Sequence, residues 1–187
     1  HGIGRRQRQM CIRDRIHILT HTLHYGTGVF EGVRAYETEQ GPAIFRLQDH
    51  TSRLFKSAEL IGMNIPYSQT ELMEAQCESV KINKLKNAYI RPLCFYGNEG
   101  MGLRADNLKV HASVSSWDWG AYLGEDKIKN GIKVKVSPFP KRAADSMLYK
   151  AKATGNYLNS MLALQDALSS GYDAVSYTHL TLPTTYT

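Results

Sequence analysis

No apolar run in this sequence approaches the roughly 20 residues that a helix needs to cross a bilayer, so a helical membrane span is excluded. Residues 1–15 hold an arginine cluster and no apolar h-region, and no secretory signal is expected there. Cysteine is scarce. Cys11, Cys77 and Cys94 are odd in number and lack metal-ligand spacing. That excludes a zinc site and a disulfide framework, and it suits core thiols in a reducing, cytoplasmic protein. Acid is also in the minority, and the formal net charge is +6. Such a balance invites a nucleic-acid reading, but its source argues against one. Residues 1–15 hold Arg5, Arg6, Arg8, Arg13 and Arg15 against the single acid Asp14, and residues 175–187 hold no charge. Most of the excess therefore sits in the head, and the remainder has no basic stripe with interleaved aromatics.

What is present is an ordinary apolar content over 187 residues, enough for one domain or for one small domain and part of another. Residues 1–15 show no periodicity and read as a disordered head. Residues 16–20 are apolar enough for a strand. Glycines at 26, 28 and 32 then punctuate an aromatic stretch, and 29–36 reads as a strand interrupted at Gly32 by a close backbone approach or a bulge. A turn at 37–42 leads to a strand at 43–47. Asp49 is placed as the N-cap of a helix to about Met63, with Leu54, Ala58 and Ile61 on one face and Arg53 in its second turn. Ser68 and Glu71 form a capping box for the next helix, whose Met73, Cys77 and Val80 make its inner face.

Residues 88–96 read as a strand despite Pro92, which points to an edge or a bulge. Arg91 is a charge within that strand and on pattern alone faces solvent. Residues 97–107 form a loop, 110–117 a strand, and 119–131 a connection between domains. Residues 132–137 alternate strictly, as in a half-buried strand. A helix from about Asn156 offers Leu158, Met161, Leu162, Leu164 and Leu168 for packing, with Gly171 as its C′ residue. Residues 175–187 are Thr-rich and close no hydrophobic pattern.

One lysine stands out. Lys152 lies in K-A-K-A-T-G-N-Y, just before a Gly-Asn turn and a helix start. It is either a solvated loop lysine or an amine desolvated in a cleft and made nucleophilic. Three segments decide between these: H-Y-G-T-G-V-F-E-G-V-R (24–34), A-Y-I-R-P-L (88–93) and K-A-T-G-N-Y (152–157), with W-G-A-Y-L-G (119–124) in support. In this order and spacing they resemble the branched-chain amino acid aminotransferases, fold-type-IV pyridoxal-phosphate enzymes. The likeness covers about 16–174. It implies an α+β or α/β fold of the D-amino-acid aminotransferase-like kind: a small domain over 16–122, then a linker and the beginning of a large cofactor-binding domain over 123–174.

By that resemblance, Lys152 forms the Schiff base with pyridoxal 5′-phosphate and shuttles the proton between Cα and C4′. Arg53 holds the phosphate, which its fixed fork suits. Tyr157 lies near the phenolic oxygen. Phe30, Gly32, Arg34, Tyr89, Arg91, Trp119 and Tyr122 line the substrate pocket, with Arg91 and Tyr89 as its polar part. Tyr25 and Leu103 reach in from a neighbouring subunit, so a homodimer or higher homo-oligomer is expected. The implied reaction exchanges the amino group of Leu, Ile or Val with 2-oxoglutarate.

The family also carries an S-E-G-x-x-x-N segment, whose glutamate meets the pyridine nitrogen, and a later G-T-A-x-E phosphate loop. Neither is found here, so a truncated and inactive chain is expected. Residues 1–15 and 175–187 resemble translated adapter sequence and read as extraneous. D-amino-acid aminotransferases and aminodeoxychorismate lyases share the fold type, but they carry an F-G-D-G-like first motif, and H-Y-G-T-G with Y-I-R-P favours the branched-chain group. Outside this class, a basic nucleic-acid module using the head or a non-catalytic remnant are the competing readings.

Overall fold

The computed structural model describes residues 15–104, 106–120, 124–139, 141 and 148–177. All of the expected head but Arg15 and most of the expected tail lie outside them, whereas Val175 and Ser176, expected in the tail, belong to a strand. A five-stranded antiparallel sheet is built around one long strand, β4 (Ala88–Tyr96). Strand β5 (Val110–Trp117) runs along the whole of one side of β4, from Tyr89↔Trp117 to Tyr96↔Val110. The other side is shared end to end by β1 (Gly28–Phe30) and β2 (Val33–Tyr36), and the short β3 (Ala43–Ile44) pairs with β2.

Strict alternation along β4 sends Ala88, Ile90, Pro92, Cys94 and Tyr96 into the core and Tyr89, Arg91, Leu93 and Phe95 to the opposite face. Helices α2 (Leu47–Leu60) and α3 (Gln69–Ile82) cover the buried face. Leu54, Ala58, Leu72 and Cys94 pack in one cluster there, and Val33, Val80 and Ile90 in another. Helix α3 carries the full capping box at Ser68 and Glu71. Trp119 is followed by a short helix, α4 (Glu125–Asn130). Beyond it, β6 (Val134–Val136) pairs in parallel with β7 (Ala174–Ser176) beside α5 (Leu158–Ser169). Gly171 follows α5 with φ 79°, as a C′ residue should.

Several expectations change. Residues 16–20 form a turn and not a strand: among the described residues no strand lies beside them, and Thr20 N–H donates to His17 O at 2.9 Å. The strand at 43–47 shortens to two residues because Arg46, with φ 49°, turns the chain into α2. Asp49 therefore sits inside the first turn and accepts from Arg46 Nε at 2.7 Å instead of capping. The inner face of α3 is Leu72, Gln76 and Val80, one position round from the expected face, which leaves Cys77 exposed.

Pro92 is central and not at an edge. Its carbonyl accepts from Glu31 N–H at 3.0 Å, so its donor-less nitrogen points toward the break between β1 and β2, where no ladder bond is lost. In β6 the alternation is reversed. Val134 and Val136 are exposed, whereas Lys135 lies against α5, its Nζ 2.8 Å from both Asp166 Oδ2 and Ser170 Oγ. Helix α5 likewise buries its small residues, Ala163 and Ala167, and exposes Leu158, Met161, Leu162 and Leu168.

Candidate active site

Two of the quoted segments meet directly. Residues 152 and 153 lie beside β1: Phe30 N–H donates to Lys152 O at 3.2 Å, and Ala153 bridges Val29. The junction below is backbone on backbone. Gly26 has φ 66°, and a Cβ on it would stand 2.7 Å from Gly155 Cα, so only glycine fits. Thr154 Oγ1 donates to Gly26 O at 2.7 Å and accepts from Gly28 N–H at 3.1 Å. Helix α2 holds the segment from the other side, because Lys152 N–H donates to Ser57 Oγ at 3.0 Å. A 3-10 turn over Thr154–Tyr157 then brings Tyr157 Oη to 2.9 Å from Lys152 Nζ.

Lys152 and Tyr157 open into a cavity of about 680 Å³, within the range of small-molecule sites. The outward residues of β4, Tyr89, Arg91 and Leu93, form one wall. Phe30, Arg34 and Trp119 close it, with Thr154 and Met161 at the lysine's side. Arg91 therefore lines the cavity and does not face bulk solvent. Its guanidinium carbon lies 4.7 Å from the Phe30 ring centroid and 5.2 Å from that of Tyr89, and it donates to Tyr89 Oη at 3.0 Å. Arg34 donates through Nη2 to Trp119 O at 3.0 Å. The Nε atoms of both arginines are buried without a hydrogen-bond partner. Two cations with unused donors, set in an aromatic cavity, suit a small anion with an apolar body.

Gly32 is a close approach, but of a side chain and not of the backbone that its place in the strand suggested. An added Cβ would lie 2.1 Å from Tyr89 Oη. Tyr89 in turn packs tilted against Trp117 (ring centroids 5.1 Å) and edge-on to Trp119 (4.5 Å).

Of the expected site residues, Phe30, Arg34, Tyr89, Arg91, Trp119, Lys152 and Tyr157 converge on the cavity, and Gly32 stands behind Tyr89. Arg53 does not line it and lies on α2 one turn before Ser57. Tyr25 and Leu103 are exposed, and Tyr25 Oη accepts from Gly102 N–H at 3.2 Å. Tyr122 is outside the described residues.

Sequence reasoning missed Glu31. Its side chain is 0% exposed and accepts from Arg53 Nε at 2.6 Å, from Arg53 Nη2 at 2.8 Å and from His50 Nδ1 at 3.1 Å. Burial by itself raises the pKa of this carboxyl. The bonds from His50 and Arg53, with the charges of Arg53 and Lys152, outweigh that and hold it below its ordinary value. The available signal was a lone acid inside the apolar run V-F-E-G-V. Among the described residues no His/Cys/Asp/Glu group could hold a metal ion, and no helix is long and apolar enough to cross a membrane.

A family model described as amino-transferase class IV matches residues 28–180. The branched-chain-amino-acid aminotransferase of Pseudomonas aeruginosa is 59% identical over 157 residues, which cover 84% of this chain and 51% of that one. The crystal structure of the Escherichia coli branched-chain amino acid aminotransferase superposes with a TM-score of 0.83 at 40% identity, over 86% of this chain and 53% of that one. The branched-chain amino acid aminotransferase of T.th., solved with pyridoxamine 5′-phosphate, gives a TM-score of 0.81 at 44% identity, over 86% and 53%. The same enzyme complexed with N-(5′-phosphopyridoxyl)-L-glutamate gives 0.78 at 40%, over 86% and 51%. The chain spans about half the length of these relatives.

Proposed function

The chain belongs to the class IV aminotransferases, and on that premise we propose that its whole protein exchanges the amino group between branched-chain L-amino acids and 2-oxoglutarate with pyridoxal 5′-phosphate. The observation that carries this reading is the pairing of Lys152 Nζ with Tyr157 Oη at 2.9 Å, in one cavity with Arg34, Arg91 and an aromatic wall. Relatives solved with pyridoxamine 5′-phosphate and with a cofactor–glutamate adduct support the cofactor and the second substrate.

The residues present fit that cofactor. Lys152 Nζ and Tyr157 Oη, 2.9 Å apart, face a cavity with the volume for the ring, and the buried, unsatisfied Nε atoms of Arg34 and Arg91 ask for the carboxylate of a substrate beside it. When bound, pyridoxal phosphate supplies an aldehyde that condenses with amines and a ring that delocalises the electron pair left at Cα. Lys152 would hold that aldehyde through Nζ and, freed when the substrate amine takes its place, would accept the Cα proton there and return it. Tyr157 Oη fixes the direction of that amine. Arg53, outside the cavity lining but one turn before the Ser57 that holds Lys152, would hold the phosphate, and Arg91, with Tyr89, the substrate carboxylate. Phe30, Leu93 and Trp119 exclude water and receive an aliphatic side chain. Residues 16–122 serve as the small domain and 123–174 as the start of the larger one. Exposed Ile18, Leu23, Tyr25, Met101 and Leu103 are the surface we assign to a second subunit.

Borohydride reduction of the chain incubated with pyridoxal phosphate tests this. A pyridoxyl mass on the Lys152 peptide, absent from Lys152→Ala, is expected. Label spread over exposed lysines, or no label, refutes the assignment.

A further inference from the structure

Among the described residues Glu31 is the one fully buried acid, and the proposed reaction leaves it without a task. It sits in the break between β1 and β2, anchored at both ends. Its own N–H is held by Pro92 O at 3.0 Å, and its carboxylate also accepts from Gly32 N–H at 3.3 Å. The carboxylate is therefore fixed by the sheet, and it grips Arg53 side-on through Nε and Nη2. Arg53 itself is 50% exposed, on a long flexible stem that would otherwise sample many rotamers. Two hydrogen bonds in one plane set the orientation of the whole guanidinium. The same face of α2 bears Ser57, which holds the Lys152 backbone.

Resting on the function proposed above, we propose that Glu31 is a positioning residue that fixes the Arg53 guanidinium in the plane in which it meets the cofactor phosphate. The chemistry sets two effects of Glu31 against each other. Its negative charge repels a phosphate, while its grip orients the arginine that binds one. Removing the charge alone therefore separates them by sign. If Glu31 only neutralised its surroundings, Glu31→Gln would bind phosphate more tightly. If it positions Arg53, Glu31→Gln binds phosphate more weakly.

The test uses the 187-residue chain and two probes, pyridoxal phosphate and pyridoxal, which differ only by the phosphate. Trp119 lines the cavity and Trp117 packs against its ring at 5.6 Å, so quenching of tryptophan emission reads binding of either probe. Glu31→Gln is expected to weaken pyridoxal phosphate about tenfold, as for one charge-assisted hydrogen bond, and to leave pyridoxal within about twofold. Unchanged or tighter pyridoxal phosphate binding overturns the proposal. An equal loss for both probes does so too, since it marks general damage. If Glu31→Gln does not fold, Glu31→Asp decides by the same ratio, because its shorter side chain keeps the charge but draws back from Arg53. The Arg53 Nε–H resonance gives a readout independent of the cofactor. It is expected to be sharp and slowly exchanging in the wild type and to be lost in Glu31→Gln. Wild-type chain that binds neither probe overturns the assignment of the cofactor to this cavity. A wild-type Arg53 Nε–H that exchanges freely overturns the grip itself.

Discussion

Replacing Gly32 by alanine places a methyl where Tyr89 already stands. The new carbon would lie 2.1 Å from Tyr89 Oη, 2.8 Å from Cζ and 3.2 Å from Cε2. A tyrosine hydroxyl is often free to yield, but this one is not. Arg91 Nη2 donates to it at 3.0 Å, and its ring is packed at 5.1 Å from Trp117 and 4.5 Å from Trp119. Either β2 moves away from β4 or Tyr89 leaves the stack and its bond to Arg91 breaks. Overpacking of this kind costs about 1–3 kcal/mol, and the lost bond to a charged group about 1 kcal/mol more in a solvated cavity. With a urea m-value of about 2 kcal/mol/M, the unfolding midpoint should fall by about 1–2 M. Urea titration followed by far-UV circular dichroism measures the loss. Tryptophan emission locates it, since both tryptophans border the displaced ring.

Tyr89→Phe sharpens the test. It removes the 2.1 Å contact but leaves the one at 2.8 Å, so the double variant should be less destabilised than the sum of the singles by about 1 kcal/mol. A Gly32→Ala chain with the wild-type midpoint and unshifted emission, or strictly additive singles, would refute the steric argument.

Two further outcomes follow from the buried groups. Burial pushes the Cys94 thiol up to about 12, and Cys77 lies at the surface with a thiol that is also raised, mainly by its partial desolvation. Iodoacetamide should therefore modify Cys77 in the native chain, slowly, and Cys94 only in denaturant; equal native rates at the two sites would show that β4 is not covered. Because the Glu31 carboxyl is held below its ordinary 4.5, its stabilisation is fully present above that value and disappears as pH falls through the lower folded one. Acid unfolding of the wild type should accordingly be steeper below about pH 4.5 than that of Glu31→Gln, with the two profiles parallel at neutral pH.

The elements that the sequence displayed well are those whose signal is local. Ser68 and Glu71 cap α3 by contacts three residues apart, and β4 and β5 follow their own alternation. Gly32 interrupts its strand where a close approach was expected. The failures share a different cause. Arg91, Cys77 and the leucines of α5 were placed by hydrophobic pattern, yet a pattern does not say what packs on each face. Arg91 faces a cavity because β4 is central and its far face lies open between Phe30 and Tyr89. Ala163 and Ala167 turn inward because small side chains let α5 approach β7 closely. The convergence of the quoted segments on one cavity was legible only through resemblance, since residues as distant as Arg34 and Lys152 carry no mutual signal in a single sequence. Glu31 escaped because its partners, His50 and Arg53, lie on a helix whose start was displaced by three residues, from an N-cap at Asp49 to one at Arg46.

The junction of Thr154 with Gly26 and Gly28 also orders events in time. Gly28 and Thr154 are separated by 126 residues, and closing a loop of that length costs about 4 kcal/mol in chain entropy before any contact offsets it. The β4–β5 pair closes far shorter loops, with Tyr96 opposite Val110 at its near end. Contacts of low sequence separation form first, and those that span the chain form late. The sheet with its two helices is thus a platform that precedes the cavity, and Lys152 arrives at it afterwards. Stopped-flow refolding should show amide protection in β4 and β5 before protection at Gly155, and simultaneous protection would contradict this order. The chemistry-bearing lysine is delivered to a surface already built, so the chain acquires a fold before it acquires a site.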